Sequence, residues 1–593
     1  MFEIRSSFGA GTKMTTVALN SKVFRRKKSR GVGRFVMALL ILFFGFYVVY
    51  PIAVIFIQSF NAAGFFTGAY EFSFANWRAA FSEPGVLESL WNTIFIYLCY
   101  TMFSFPLAII ISWLLARTQM PFSRGLEFMF WVSFMLPNLT TTIGWTLLLD
   151  PYFGFINVWF QKLPFASGPL FNIYSVEGIV FAHLMASALS QKVMLLTPAF
   201  RNMNVTLEEA GRTSGSGSIR TMMRITLPVM VPPMVVVFMM NMVRMFNSFE
   251  IEEILGTPIK FYVYSTRIYD LVRHTDPPAY GEATALASLT LIIILLIIPL
   301  QRWLLSRRQY TTITGSFKPG LTHLGILQPI AFWFTLLIVA LLTIVPVLTL
   351  LGGSFMTRAG FFQATPTYTL MHWQTVLADP IFFRALQTTF LISIATAIVS
   401  PIMFSMVAYV LVRRNWPGNV ILDSIFWISA GIPGMLSGLG LLWVILGTPG
   451  LNWLFGTIWI LIIVAILQGK LTSVQMFKST FLQMGQDMED AARTAGAGWL
   501  YTYWRIWLPL IAPTLVLMGI LNFVLAAGAT SSVILLASRD TVTLSLLALE
   551  YMTSAAGSSR EVAGIISLFV VAMTAGLALI ARWLGFQLGV KDR

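Results

Sequence analysis

The stretch "EDAARTAGAGWLYTYWRIWLPLIAPT", residues 489–514, is a short polar run set between two hydrophobic ones. A near-copy, "EEAGRTSGSGSIRTMMRITLPVMVPP", residues 208–233, stands 281 residues earlier. Over 26 aligned positions twelve are identical: Glu208, Ala210, Arg212, Thr213, Gly215, Gly217, Thr221, Arg224, Ile225, Leu227, Pro228 and Pro232, each with its partner 281 later. One such run reads as an ordinary loop. Two at a fixed spacing read as an internal repeat.

The repeat extends well beyond these runs. Trp77, Pro84, Thr93, Arg117, Pro121 and Pro137 recur 296 residues later as Trp373, Pro380, Thr389, Arg413, Pro417 and Pro433. The offset then falls to 281, pairing Glu208 with Glu489, Pro228 with Pro509 and Asn241 with Asn522. The first half therefore holds 15 extra residues, assigned to the loop over 150–172.

Composition sets the class. Hydrophobic residues make up 57% and charged residues 11% of the 593, and the mean hydropathy is +0.78. Soluble domains carry about 25% charged residues. A bilayer core takes about 20 mostly apolar residues per helix. Twelve stretches qualify, starting near residues 35, 91, 126, 178, 228, 281, 327, 384, 420, 456, 509 and 561. The first is uncharged over residues 35–60 and lacks a small-residue cleavage site, so it reads as an uncleaved helix. The fold class is an all-α polytopic membrane protein of about twelve transmembrane helices in two parallel six-helix repeats. Its expected segments are a basic cytoplasmic tail (1–34), a first repeat (35–306), a cytoplasmic linker (307–326), a second repeat (327–586) and a cytoplasmic tail (587–593).

The net charge of +15 is a topology signal rather than a nucleic-acid footprint. With the N-terminus inside, the inner segments hold 28 of the 39 basic residues, Lys470 among them, and the outer segments nine. Lys192 and Arg244 fall within spans. Both termini and both copies of the opening run are thus expected in the cytoplasm. Parallel repeats imply a pseudo-two-fold axis along the membrane normal, with a pathway where the halves meet. A single cysteine, Cys99, excludes an internal disulfide, and one cysteine with four scattered histidines gives no metal cluster. No GxxxxGK[ST] loop is present, so ATP binding by this chain is not expected. No catalytic constellation is evident, and an enzyme is not expected.

The repeated run has a physical reading. Its acids occupy a first helical turn, where they suit the helix dipole. Ala210, Gly211, Ala491 and Ala492 leave a low surface open to close approach. Gly215 and Gly496 are placed as helix C-caps. A second piece follows and should stop at Leu-Pro, with Pro228 and Pro509 beginning the next span. The expected product is a short helix across the membrane surface.

Glu209-Ala210-Gly211, then Gly215, then Ile225-x-Leu227-Pro228 resembles the EAA loop of type I ABC importer permeases. So does Asp490-Ala491-Ala492, Gly496, Ile506-x-Leu508-Pro509. The departures are Gly211 for Ala and Asp490 for Glu. The resemblance covers nearly the whole chain, as two permease units fused. It implies an inner-membrane protein of bacteria and a homodimer of cytoplasmic ABC ATPase subunits that carry the ATP and Mg²⁺. In that family the run is a coupling helix seated on the ATPase, so the acids Glu208, Glu209, Glu489 and Asp490 would face basic groups there. A periplasmic substrate-binding protein would deliver a small solute. Residues 250–288 and 531–552 look most like the iron(III) importers; 2-aminoethylphosphonate and thiamine permeases are the alternatives. A twelve-span secondary transporter is more distant, since it has no use for two such loops.

Asn241, Arg244 and Ser248 lie three and four residues apart on one helix face, with Asn247 beside them. An intramembrane charge marks a pathway by default. This face, with Asn522 opposite, is the expected translocation wall, Arg244 serving an anionic solute or chelate; a salt bridge from Arg244 to Glu250 is the structural alternative. Lys192 reads as a helix-end snorkeller. The acids Glu250, Glu252, Glu253, Asp270, Asp276 and Glu282 read as solvated outer-loop charges or a docking surface for the binding protein.

Overall fold

The computed structural model describes residues 28–63, 69–165, 168–201, 203, 206–306, 321–414, 416–430, 432–485, 487–553 and 559–583. The expected tails over 1–27 and 587–593, and most of the linker over 307–320, lie outside these. Among the described residues the chain is all helix, with three isolated β-bridges and no strand.

Seven helices are long and apolar enough to span a bilayer: 34–58, Val86–Arg117, Val176–Arg201, 222–247, Leu327–Ser354, Pro380–Arg413 and 560–580. Four bent pairs raise the number to eleven. A shorter apolar helix begins at Tyr280. Eleven of the twelve expected starts fall on one of these elements, and the one near 456 falls two residues before Ile458. In lipid the backbone must bond to itself, which is why the uncharged runs become helices.

The bends follow the repeat. Ser123–Met135 and Asn138–Leu149 meet at 96°, across Leu136-Pro137. The second-half pair ending in Gly434–Gly447 meets at 114°, at Pro433. A residue before proline is pushed out of the helical region, and Pro137 and Pro433 are both extended at the restart. The prolines marking the repeat in the sequence are therefore its elbows.

The two halves exchange their first helices. Phe44 of span one packs on Phe404 and Phe426 of the second half, with ring centroids 6.0 and 4.8 Å apart. Met37 and Val48 join the same buried cluster, with Trp507. Reciprocally, Leu327–Ser354 lies on the elbow helices of the first half. Two glycines permit this. A Cβ at Gly144 would lie 2.7 Å from the Pro346 carbonyl oxygen, and one at Gly440 would lie 3.0 Å from that of Pro51. These are one contact seen twice, since Gly144 and Gly440 are 296 apart and the prolines 295.

Other contacts repeat in the same way. Trp77 Nε1 donates to Ser59 Oγ at 3.1 Å, and Trp373 Nε1 to Ser354 Oγ at 3.2 Å. Thr93 Oγ1 accepts from the Tyr264 amide at 2.9 Å, and Thr389 Oγ1 from the Leu544 amide at 2.8 Å. Where the halves meet, Asn247 Oδ1 accepts from the Gly434 amide at 2.9 Å, and Gly528 packs on Pro137.

The 15-residue excess of the first half is built around Asn157 in the helix Phe155–Phe160. Its side chain bonds the Asp150 carbonyl at 2.8 Å, and the Phe171 carbonyl and amide at 2.7 and 2.9 Å. Asp150 also takes Arg560 of the second half at 2.7 Å, which ties the two halves at this end.

Candidate functional site

The two copies of the opening run fold alike. Helices Thr206–Thr213 and Asp487–Thr494 each carry acids in the first turn. Each ends on a left-handed glycine, Gly215 at φ 81° and Gly496 at φ 79°. The Ser216 amide reaches back to the Gly211 carbonyl at 3.0 Å, and the Ala497 amide to that of Ala492 at 2.9 Å. This six-to-one bond is the Schellman closure, which needs the conformation glycine adopts freely.

The second piece does not stop at Leu-Pro. It runs through Ser218–Thr221 and a wide turn, Met222–Thr226, into Leu227–Arg244. Trp499–Thr502 and Tyr503–Trp507 do the same before Leu508. In both wide turns the amide of the leucine before proline bonds five residues back, Leu227 to Met222 and Leu508 to Tyr503. Proline has no amide to offer, and the widened turn absorbs that loss inside a continuing helix. In the second half the break comes two residues later, at Ile511, with a 78° bend.

The leading acids turn inward. Glu208 and Glu489 are 2% and 3% exposed. Glu208 takes Arg117 Nη2 at 2.6 Å and the Thr226 hydroxyl at 2.8 Å. Glu489 takes Arg414 Nη2 at 2.9 Å and Arg493 Nη2 at 2.8 Å. They are thus spent on their own half and not available to a partner's basic groups. Arg117 Nη1 also donates to the Met203 carbonyl at 3.1 Å, and Arg413 to the equivalent Met484 carbonyl at 2.6 Å. In the sequence Arg117 and Arg413 stand out only as repeat markers and topology charges. In the fold Arg117 latches span two to the repeated helix, whereas Arg413 holds the carbonyls of Phe481 and Met484 at the end of the preceding helix and leaves the ion pair with Glu489 to Arg414.

What remains outward is small. Glu209, Ala210, Gly215, Asp490, Ala491 and Gly496 are exposed, as are Pro228 and Pro509. Ala492 is buried, and Ile225, Leu227, Ile506 and Leu508 are half-buried. Gly211 has a local reason: a Cβ there would sit 2.6 Å from Ile225 Cδ1. Each half therefore presents a capped, low-profile helix anchored from behind by an ion pair.

The expected wall residues separate. Asn241 is buried and bonds the Val237 carbonyl at 2.8 Å. Asn522 is buried between Ser400 and Ser473, at 3.0 and 3.1 Å. Asn247 holds the other half through Gly434. Ser248 Oγ is committed to Glu252 at 2.6 Å. Arg244 stays solvent-accessible, with no salt bridge to Glu250 or to any other described residue.

Three charge readings are corrected. Glu252 and Glu253 are buried, so they are neither solvated loop charges nor a docking surface. Glu252 Oε1 lies 2.7 Å from His183 Nε2. Burial, with Asp270 adding to it, pushes the Glu253 carboxyl up to about 7. Lys192 is no snorkeller: it is fully buried, donates to the Ala188 carbonyl at 3.2 Å and lies 5.2 Å over the Tyr100 ring. Lys470, counted above among cytoplasmic charges, sits at the 46° break within a bent span, Ile458–Gln468 followed by 470–482.

Residues 401–588 match the family described as binding-protein-dependent transport system inner membrane component. This covers the second copy of the repeated helix. The chain is 24% identical over 548 residues to the ferric transport system permease protein FbpB of Actinobacillus pleuropneumoniae, covering 89% of this chain and 75% of that one. It is 23% identical to the putative ferric transport system permease protein FbpB 1 of Haemophilus influenzae, covering 85% and 77%. The molybdate/tungstate transport system permease protein WtpB of Pyrococcus abyssi is 26% identical; 79% of it aligns with only 35% of this chain. That proportion is what a single unit gives against a tandem pair.

Proposed function

We propose that this chain, an ABC importer permease component of the inner membrane with two permease units in one polypeptide, is driven by a homodimer of cytoplasmic ABC ATPase subunits seated on Thr206–Thr213 and Asp487–Thr494. The ATP and Mg²⁺ belong to those subunits. Both termini are cytoplasmic. The observation that carries the reading is the pair of capped helices, outward-facing at Glu209-Ala210 and Asp490-Ala491 and bolted inward at Glu208 and Glu489. A partner pushing on such a helix moves span two through Arg117 in one half and Arg414 in the other, because the pairs leave little slack.

The cargo of this reading is iron(III), handed over by a periplasmic binding protein and passed between the halves past Arg244, beside the seam that Asn247 and Gly434 form. The two FbpB relatives support it, since their names state ferric transport and the alignment runs through both halves. Cells carrying the chain with its ATPase and binding protein should take up radiolabelled iron, and deletion of the chain should abolish that uptake. Iron uptake unchanged by deletion, with deletion instead abolishing uptake of labelled 2-aminoethylphosphonate or thiamine, would replace iron as the cargo.

A further inference from the structure

Arg244 and Lys470 share an unusual condition. Both lie within membrane-spanning helices, and both keep solvent-accessible surface, Arg244 exposed and Lys470 half-buried. Neither makes a hydrogen bond or ion pair to any described residue. As a rule, a charge within a span faces the bundle interior or a water-filled cavity rather than lipid.

The repeat relates them. The second-half counterpart of Arg244 is Leu525, and the first-half counterpart of Lys470 is Leu189. One cation is supplied by span five in the first half and by span four in the second. Asn241 and Asn522 place the two at similar depth. Arg244 is three residues beyond Asn241 on one helix face. Asn522 Oδ1 lies 2.0 Å from where a Cβ on Gly469 would be, next to Lys470, and its Nδ2 bonds Ser473 on the same helix at 3.1 Å. Each half thus presents one cation within about a helical turn of its paired asparagine.

Other buried charges of the first half are already engaged. Glu252 is held by His183 and Ser248, and Lys192 is buried behind Tyr100. Among the described residues within the spans, Arg244 and Lys470 are left open, one in each half.

We infer that Arg244 and Lys470 are paired contacts for an anionic cargo, an oxyanion or a metal ion wrapped in carboxylates, which they hold between the halves. This rests on the reading that the cargo passes between the halves, not on the cargo being iron. On this inference iron(III) crosses as a negatively charged chelate rather than a bare cation.

The full chain in detergent can be titrated with citrate, iron(III) citrate and inorganic phosphate while its thermal midpoint is followed. At least one should raise the midpoint, whereas choline chloride at equal ionic strength should not. The double substitution R244Q/K470Q should erase the rise; R244K/K470R, which keeps both charges, should retain it and controls for folding. In cells, R244Q/K470Q should cut uptake of iron presented as the citrate complex by on the order of tenfold, with co-purification of the ATPase unchanged. A wild-type chain indifferent to all three anions, or a double-glutamine variant importing at the wild-type rate, overturns the inference. A chain that responds to phosphate or citrate but carries no iron leaves the inference standing and removes iron as cargo.

Discussion

Glu208 shows how a residue can be chosen by two demands. Its helix places it in a first turn, where a carboxylate is favoured, and the fold then buries it against Arg117. Removing one member of a buried pair strands the other at a cost of about 3–5 kcal/mol. Arg117→Ala should therefore lower the thermal midpoint and the yield of assembled transporter, while Arg117→Lys, which cannot reach both Glu208 and Met203 as a fork, should recover only part. Scanning fluorimetry of the purified variants reads this directly. Glu253 makes a different prediction. Its pKa is raised in the folded chain, so the folded state holds a proton that the unfolded state releases above about 4.5. That contribution is complete below the unfolded value and disappears as pH rises through about 7. The midpoint should fall as pH rises from about 4.5 to about 7 and level off above that, and Glu253→Gln should flatten that slope. A wild-type slope identical to that of the glutamine variant would remove Glu253 as the cause. The inward turn of Glu208 is not legible in the sequence, because Arg117 lies 91 residues away and nothing local announces it.

The capped helices were legible for the opposite reason. Gly215 and Gly496 meet a strictly local requirement, a positive φ after a helical turn, and the sequence carries that requirement in full. Bulky residues at both positions, as in G215W/G496W, add side chains to the exposed surface in a conformation they resist. ATPase co-purification and transport should be lost while membrane insertion survives; full uptake with substrate-stimulated ATP hydrolysis would remove the docking role. The continuation through Leu-Pro was less legible. Proline usually ends a helical reading, and the wide turns before Pro228 and Pro509 leave no compositional mark. The elbows at Pro137 and Pro433 were visible as repeat markers, but their angles depend on what packs inside the bend.

At the level of the whole molecule, twelve hydrophobic stretches and their two-fold repetition could be read directly, since the bilayer imposes length and lack of charge. The exchange of first helices could not. An apolar residue facing lipid and one facing protein look alike in a sequence, and only 22% of the most apolar window in the first span is buried. Gly144 and Gly440 were the available signal, small residues where another backbone comes close. Gly144→Leu combined with Gly440→Leu should push both exchanged helices away, and the expected result is loss of folded protein on size-exclusion chromatography. A cut within residues 307–320, with the two pieces co-expressed, should still give a complex that co-purifies, because each piece holds a helix of the other. Separate elution of the pieces would show that the exchange does not bind them.

That exchange also has a consequence for biosynthesis. The ribosome delivers residues 34–58 to the membrane long before Gly440 has been made. For most of translation the first helix stands in lipid without its final neighbour, and its tolerance of lipid is what makes the wait possible. The order of synthesis therefore requires the first hydrophobic segment of the chain to be among the last to reach its place.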